Sequence, residues 1–146
     1  MTPAQIRPLW PYLASTDKPI VLYGMGNGAD KILAVCERFG VAIADFFASD
    51  DFVRGHTFHG KRVLSYSEIR EKYGTGRFIV LLSFASFRPD VLANIQRIDA
   101  ETELYAPDVP VCGENLFDSA FAAAHAEEIA EARSLLADAA SQKVYD

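Results

Sequence analysis

The residues best placed to do chemistry lie in a glycine-rich loop within the stretch 20-IVLYGMGNGADKI-32. Gly24-x-Gly26-x-x-Ala29 has the spacing of a dinucleotide-binding fingerprint whose third place accepts alanine. The first glycine of such a loop allows a tight turn, and the second lets a pyrophosphate approach the backbone. The helix that follows presents free N–H groups and the positive end of its dipole to an anion. The pattern predicts a bound nucleotide-like ligand or, as the alternative, a plain turn beside an empty crevice.

A second pattern overlaps the first, because glycine also stands at position 28. Gly24-x-Gly26-x-Gly28 is similar to the first motif of S-adenosylmethionine-dependent methyltransferases, in which an acidic residue usually lies two places before the first glycine. Leu22 holds that place here. Since the carboxylate is missing and a helix amino end favours phosphate, we expect the glycine crevice to prefer a phosphorylated nucleotide to S-adenosylmethionine.

Further ligand-binding residues are expected where other apolar runs end. Ser49 and Asp50 follow the run 41-VAIADFFA-48, and a carboxylate at that place can accept hydrogen bonds from ribose hydroxyls. The predicted ligand-binding residues are Gly24, Gly26, Asn27, Gly28, Ser49, Asp50, Arg54 and Ser83. No catalytic residue is predicted, because the chain offers no recognisable set of nucleophile, base and electrophile.

The histidine and cysteine spacings do not favour metal or thiol chemistry. His56 and His59 are three apart, but no cysteine and no third histidine lies near them in the sequence, so a solvated loop is expected and no metal cofactor. Cys36 falls on the apolar face of a helical pattern, which predicts a buried and inert thiol. Cys112 stands beside Gly113 with no base placed next to it.

Composition and charge exclude several classes of partner. The net charge is -6 and no basic cluster is present, so no nucleic-acid partner is expected. The longest apolar stretch, 78-FIVLLSFASF-87, is too short to cross a bilayer, so no membrane association is expected. The two cysteines are far apart in sequence, which fits a reducing compartment, and we expect a cytoplasmic protein.

The elements that must position the loop follow from the apolar periodicity. Apolar runs bounded by turn signals predict strands at 20–23, 41–48, 62–64, 78–83 and 103–106, with a loop at 52–61. Helical patterns lie between the strands. Ser65 and Glu68 form a capping-box pattern, and Pro89 marks the first turn of a later helix. The alternation predicts an α/β, Rossmann-like three-layer sandwich: a mainly parallel five-stranded sheet of order 3-2-1-4-5 with helices on both faces.

Three stretches together resemble the amino-terminal domain that precedes the catalytic domain in FkbM-type methyltransferases. They are 20-IVLYGMGNGADKI-32, 46-FFASDDFVRGHTFHGKRVLSYSEI-69 and 134-SLLADAASQKVYD-146. The middle stretch carries the Ala-Ser-Asp, Phe-Val-Arg-Gly and Gly-x-x-Val-Leu-Ser elements. The last stretch is similar to the segment that enters the family's catalytic domain. The resemblance extends from about Lys18 to the end of the chain.

The expected organisation combines the patterns with this resemblance. Residues 1–17 are predicted as a capping segment, 18–112 as the Rossmann-like domain, and 113–146 as a helical segment leading into a missing catalytic domain. The helical pattern from Glu114 reaches Val144 and Tyr145 without a stop signal, so we expect a truncated chain.

The resemblance implies that the intact protein is an S-adenosylmethionine-dependent methyltransferase whose donor site lies beyond residue 146. This chain would then be an accessory domain for a nucleotide or nucleotide-sugar, without activity alone. Two alternatives stay open. One is the NAD(P)-binding domain of an oxidoreductase or epimerase, and the other is a non-binding module that forms a homodimer.

Overall fold

The computed structural model describes residues 8–49, 53 and 55–145. The strands within these residues are β1 (Ile20–Tyr23), β2 (Ile43–Ala48), β3 (Thr57–Phe58), β4 (Lys61–Arg62), β5 (Leu64–Ser65), β6 (Ile79–Leu82) and β7 (Glu103–Tyr105). The helices are α1 (Leu9–Ser15), α2 (Asn27–Phe39), α3 (Tyr66–Tyr73), α4 (Pro89–Glu101), α5 (Ser119–Ala124), α6 (Ala126–Ser134) and α7 (Ala139–Tyr145). The chain divides into two compact units, an α/β unit that ends at Val109 and a helical unit that starts at Pro110.

The α/β unit is built on one five-stranded sheet in the order β5-β2-β1-β6-β7. Every neighbouring pair is parallel, as for Ile20, which lies opposite Ile43 on one side and Ile79 on the other. The predicted parallel sheet flanked by helices is confirmed. Counted within this sheet alone, the strands run 3-2-1-4-5. The last three strands carry the labels β5, β6 and β7 because the two hairpin strands, β3 and β4, precede them in the chain and belong to a separate sheet.

The hydrophobic core lies on both faces of the sheet. Alternate residues of the central strands, such as Val21 and Val80, pack in one cluster with Ile69 of α3 and Ile98 of α4. Strand alternation turns residues such as Leu22 to the opposite face. The residues that α2 buries are Ala29, Ile32, Val35 and Cys36. Both faces of the sheet are therefore apolar, as expected for a parallel sheet covered by helices.

The segment between β2 and α3 differs from the prediction. Part of the predicted loop 52–61 is a small antiparallel hairpin, in which Phe58 pairs with Lys61. His59 and Gly60 form its two-residue turn with φ values of 48° and 76°, and two positive φ values match the twist of a tight hairpin. The third strand of the sheet is consequently Leu64–Ser65 rather than 62–64.

The starts predicted for two helices of the α/β unit are confirmed. The Ser65 hydroxyl accepts from the Glu68 N–H at 3.2 Å and the Glu68 carboxylate accepts from the Ser65 N–H at 2.8 Å, which completes the capping box of α3. Pro89 is the first residue of α4. Gly40 ends α2 in the left-handed conformation, with φ of 68°. These residue types specify the boundaries because each satisfies or relieves backbone groups at a helix end.

The helical unit contains three short helices where the sequence predicts one continuing pattern. His125 separates α5 from α6 with φ of −110° and ψ of 23°, and its N–H still donates to the Phe121 carbonyl. Of the described residues from Pro110 onward, only Leu116 is buried, and the neighbouring Phe117 is 76% exposed. Within the described parts of both units, no helix combines the length and the apolar character needed to cross a membrane.

Candidate functional site

Two cavities open at the carboxyl edge of the sheet and share Tyr23, Ala48 and Ser49. The first, the glycine-loop cavity, has a volume of about 280 Å³. It lies between the glycine loop and the loop after β6, and its other lining residues are Gly24, Met25, Phe84, Ala85, Ser86, Arg88 and Val91. The second, the Arg97 cavity, has a volume of about 230 Å³. Its other lining residues come from β2, α3 and α4 and are Phe47, Tyr66, Ser67, Asn94, Arg97 and Ile98.

Tyr23 forms the wall between the two cavities. Its ring stacks on Phe47 with centroids 4.5 Å apart and meets the edge of Phe84 at 4.9 Å. The Tyr23 hydroxyl and the Ser49 Oγ share a hydrogen bond of 2.7 Å. Because Tyr23 is 2% exposed and packed on both sides, it is a rigid surface that fixes where Ser49 stands in both cavities.

The three glycines of the loop have three different surroundings. Gly24, with φ of +112°, leaves no room for a β-carbon, which would collide with Ser83 Oγ and the Phe84 ring. A β-carbon on Gly28 would collide with the Ser83 carbonyl oxygen. Gly26 has φ of +114° and is exposed, with no atom within 4 Å of the place where a β-carbon would stand. Gly24 and Gly28 therefore serve close packing, whereas Gly26 leaves open space at the start of α2.

The structure brings only some of the predicted site residues together. Gly24 and Ser49 line the glycine-loop cavity. Asn27 is exposed on the first turn of α2 and, like Gly26 and Gly28, lines neither cavity. Asp50 and Arg54 lie outside the described residues.

Ser83, the remaining predicted residue, is bound to the backbone of β1. Its N–H and its hydroxyl both donate to the Tyr23 carbonyl, at 3.1 and 2.8 Å. It lines neither cavity. Ser83 therefore holds the glycine loop and the loop after β6 against each other, and a ligand would meet the residues that follow it.

The cavity residues that sequence reasoning missed are the side chains beyond the strand ends. Phe84 and Arg88 follow β6 by a few residues, and Asn94 and Arg97 lie on α4. The spacing of Asn94 and Arg97 contains a signal, because residues three apart share one helix face. Asn94 and Arg97 lie next to the buried residue Ile98 on α4, so their polar groups reach the edge of the helix face that packs on the sheet.

The cavity linings carry positive charge in an acidic chain. Arg88 lines one cavity and Arg97 the other, and no carboxylate lines either of them among the described residues. Arg88 is paired with Asp90 at 2.6 Å. Arg97 has no carboxylate within 4.0 Å in the described part of the chain, and its guanidinium lies 5.7 Å from the centre of the Tyr66 ring. Since Asp90 neutralises Arg88, the cation of the two linings without a described carboxylate partner is Arg97, and in a chain of net charge -6 it favours an anionic ligand.

The titratable groups near these cavities do not form a nucleophile–base pair. Burial, together with the hydrogen bond that Tyr66 donates to Glu101 at 2.9 Å, raises the pKa of Tyr66 to about 12, so its hydroxyl stays protonated at neutral pH. Burial also raises the pKa of the Cys36 thiol to about 11, which keeps it unreactive. The described residues at this edge can bind and orient a ligand.

Metal binding gains no support from the described residues. Among them, no group of three or more His, Cys, Asp or Glu side chains is arranged to hold a metal ion. His59 instead pairs with Asp30 at 2.7 Å and meets the edge of the Phe58 ring at 4.4 Å.

No family model, curated protein or solved structure matches this chain.

Proposed function

We propose that the α/β unit binds a nucleoside phosphate in the glycine-loop cavity. The observation that carries this proposal is the lining of the cavity, which joins an aromatic wall, a serine at the end of β2 and an arginine, with no described carboxylate. The cavity also lies where such ligands bind in open parallel sheets. It stands at the carboxyl ends of β1 and β6, where the connections turn to opposite sides of the sheet.

Each part of a nucleotide has a matching surface in this cavity. The apolar side chains of Met25, Phe84 and Val91 suit a base, which is flat and apolar on its faces. Ser49 and Ser86 supply hydroxyls for the ribose. Arg88 suits a phosphate inside the cavity. The first N–H groups of α2, which have no side-chain cap and lie outside the cavity lining, suit a phosphate that extends beyond it.

The proposal extends to the place of this domain in a larger enzyme. The resemblance to FkbM-type methyltransferases supports an accessory role, in which the nucleotide-binding domain precedes a separate catalytic domain that uses S-adenosylmethionine. An NAD(P)-binding domain is the rival assignment, since it uses the same loop spacing. The two assignments differ in which ligand binds, so one set of titrations separates them.

The test is a titration of the purified chain with ATP, a UDP-sugar, NAD and S-adenosylmethionine, read by thermal shift and calorimetry. We expect ATP or the UDP-sugar to raise the melting temperature and S-adenosylmethionine to leave it unchanged. Arg88→Gln is expected to weaken nucleotide binding about tenfold, because it removes a charge-assisted hydrogen bond to phosphate.

The matched control is Arg62→Gln. Arg62 is likewise an exposed arginine paired with a carboxylate, that of Glu68, but it lines neither cavity. Its loss is expected to leave nucleotide affinity unchanged. A melting shift with S-adenosylmethionine and none with any nucleotide phosphate would contradict the proposal, and a shift confined to NAD would favour the rival assignment.

A further inference from the structure

The Arg97 cavity brings three polar side chains to the same space from two helices. Ser67 stands on the first turn of α3, while Asn94 and Arg97 stand one turn apart on α4. The end of β2 closes the cavity with Ser49. Ser67 and Arg97 are exposed and Asn94 is half-buried, so the three side chains line a cavity of about 230 Å³ that a ligand can enter from solvent.

Arg97 is held in place by contacts that leave most of its hydrogen-bonding capacity unused. Its guanidinium lies over the Tyr66 ring and donates one long hydrogen bond, of 3.4 Å, to Asn94 Oδ1. A guanidinium has five N–H donors, and no described carboxylate lies within 4.0 Å of this one. A neighbouring arginine, Arg70, lies over the same ring at 5.8 Å but pairs with Glu101 at 3.6 Å.

The other polar groups of the cavity are donors as well. Because Asn94 Oδ1 accepts from Arg97, the amide N–H groups of Asn94 remain to donate. The Ser67 hydroxyl has no hydrogen-bond partner among the described residues. The Tyr66 hydroxyl, in contrast, is already bound to Glu101. The cavity thus offers a planar cation, an amide and a hydroxyl, which together suit an oxyanion.

We infer that the Arg97 cavity is an oxyanion subsite that binds a phosphate or carboxylate group. It adjoins the glycine-loop cavity through Tyr23, Ala48 and Ser49. Both cavities open at the same edge of the sheet, so the inference extends to one ligand that passes Tyr23 and Ser49, with its nucleoside in the first cavity and a second anionic group in the second. The class of ligand is a nucleotide that ends in a phosphate or in an acidic sugar. This last step rests on the proposed function, whereas the oxyanion subsite itself does not.

The subsite is tested without a nucleotide. Inorganic phosphate is titrated into the ¹⁵N-labelled chain against sodium chloride of equal ionic strength, and NMR shifts are followed at Ser67, Asn94 and the Arg97 Nε. We expect phosphate to move these signals in the native chain. In Arg97→Gln the affinity for phosphate is expected to fall about tenfold, since a charge-assisted hydrogen bond is lost.

Arg70→Gln is the matched control, because it removes a positive charge and an aromatic contact on the same Tyr66 ring while leaving the cavity lining intact. Its phosphate affinity is expected to stay within about twofold of the native value, since exposed charges at this distance are screened by salt. Equal losses in the two variants, or no phosphate-dependent shift at the three residues, would overturn the subsite.

The source of the oxyanion is distinguished by comparing UDP, UDP-glucose and UDP-glucuronate on the native chain and on Arg97→Gln. A loss confined to UDP-glucuronate identifies a sugar carboxylate, and a loss confined to UDP identifies a terminal phosphate. If none of the three binds while phosphate still shifts the Arg97 cavity, the proposed nucleotide function fails and the oxyanion subsite stands. If all three bind equally well to both chains, the link between the two cavities is wrong.

Discussion

The glycines at 24, 26 and 28 have two different structural roles. Gly24 and Gly28 let the first turn of α2 and the loop after β6 approach each other through Ser83. Gly26 needs its unusual φ of +114°, but the space beside it is open. The glycine fingerprint therefore contains two positions that are needed for packing, Gly24 and Gly28, and one position, Gly26, that a ligand can approach. Substitution separates the two roles.

Gly28→Ala is expected to destabilise the chain by about 2–3 kcal/mol, as typical for forced overpacking. The added β-carbon would meet the Ser83 carbonyl oxygen, a backbone atom that cannot rotate away as a side chain can. The measurement is urea-induced unfolding followed by circular dichroism.

The control for Gly28→Ala is Asn27→Ala on the same helical turn, where the side chain is exposed. Its free energy of unfolding is expected to change by no more than about 0.5 kcal/mol. Equal stability of the two variants would show that α2 can shift away from the loop after β6 and that Gly28 has no packing role.

A buried carboxylate joins the central sheet to a helix. Asp45 of β2 is 8% exposed, and it accepts a hydrogen bond of 2.7 Å from Lys72 and another from Tyr73, both on α3. Burial by itself would raise the pKa of Asp45. The hydrogen bonds from Lys72 and Tyr73 and the charges of Lys72 and Lys61 outweigh that effect and bring the pKa below its ordinary value.

The lowered pKa of Asp45 makes this link depend on pH. The ionised form is favoured more in the folded chain than in the unfolded chain, so its stabilising effect is complete above the ordinary aspartate pKa of about 3.9. It is lost as pH falls through the lowered pKa. Asp45→Asn is expected to lose about 1–3 kcal/mol at pH 7 through the broken charge-assisted bonds.

As the pH falls below about 4, the free energy of unfolding of Asp45→Asn is expected to decrease less than that of the native chain, because the variant has no carboxylate to protonate at this position. Unfolding by urea at pH 7, 5 and 3 measures both effects, with Asp99→Asn, an exposed position on α4, as the control. An Asp45→Asn chain whose stability runs parallel to the native curve at all three pH values would contradict the role of the link.

The elements that could be predicted are those with a local physical signature. Uninterrupted apolar runs predict strands buried on both faces, and next to helical patterns Pro89 and Gly40 have backbone conformations that suit a helix start and a helix end. The β3–β4 hairpin has no such signature. Its strands have two residues each, too short to show alternation, and its turn places a histidine at a positive φ.

The sequence could predict only those residues of the candidate site that directly follow a strand. Gly24 and Ser49 follow strands directly, and the carboxyl-edge rule finds them. Phe84 and Arg97 line the cavities because of how the loop after β6 and helix α4 pack on the sheet. That packing depends on contacts between distant segments, such as Tyr23 with Phe84, which no local pattern contains.

At the scale of the whole molecule, the buried residues lie almost entirely in one unit. Among the described residues, those of the hydrophobic core precede Val109 with the single exception of Leu116. Both cavities are also formed within that part of the chain. The hydrophobic core and the proposed ligand site therefore both belong to the α/β unit.

A chain that ends after Val109 is expected to fold and to keep the ligand affinity of the full chain. Its melting temperature should lie within about 4–8 °C of the native value, which corresponds to about 1 kcal/mol for a domain of this size. Thermal unfolding and a ¹H–¹⁵N spectrum of the shortened chain check this. Loss of dispersed amide signals would contradict it and would show that the helical unit is needed for the fold.

The position of β1 at the centre of the sheet has a consequence for how the chain is made. Ile20 pairs with Ile43 and with Ile79, so β1, which is synthesised before both of its partner strands, receives its second neighbour only after β6 is complete. At about 5–20 residues per second, synthesis leaves one edge of β1 unpaired for several seconds. During that interval the nascent chain presents an open row of backbone donors and acceptors. Until β6 pairs with β1, this edge is open to a strand of another chain.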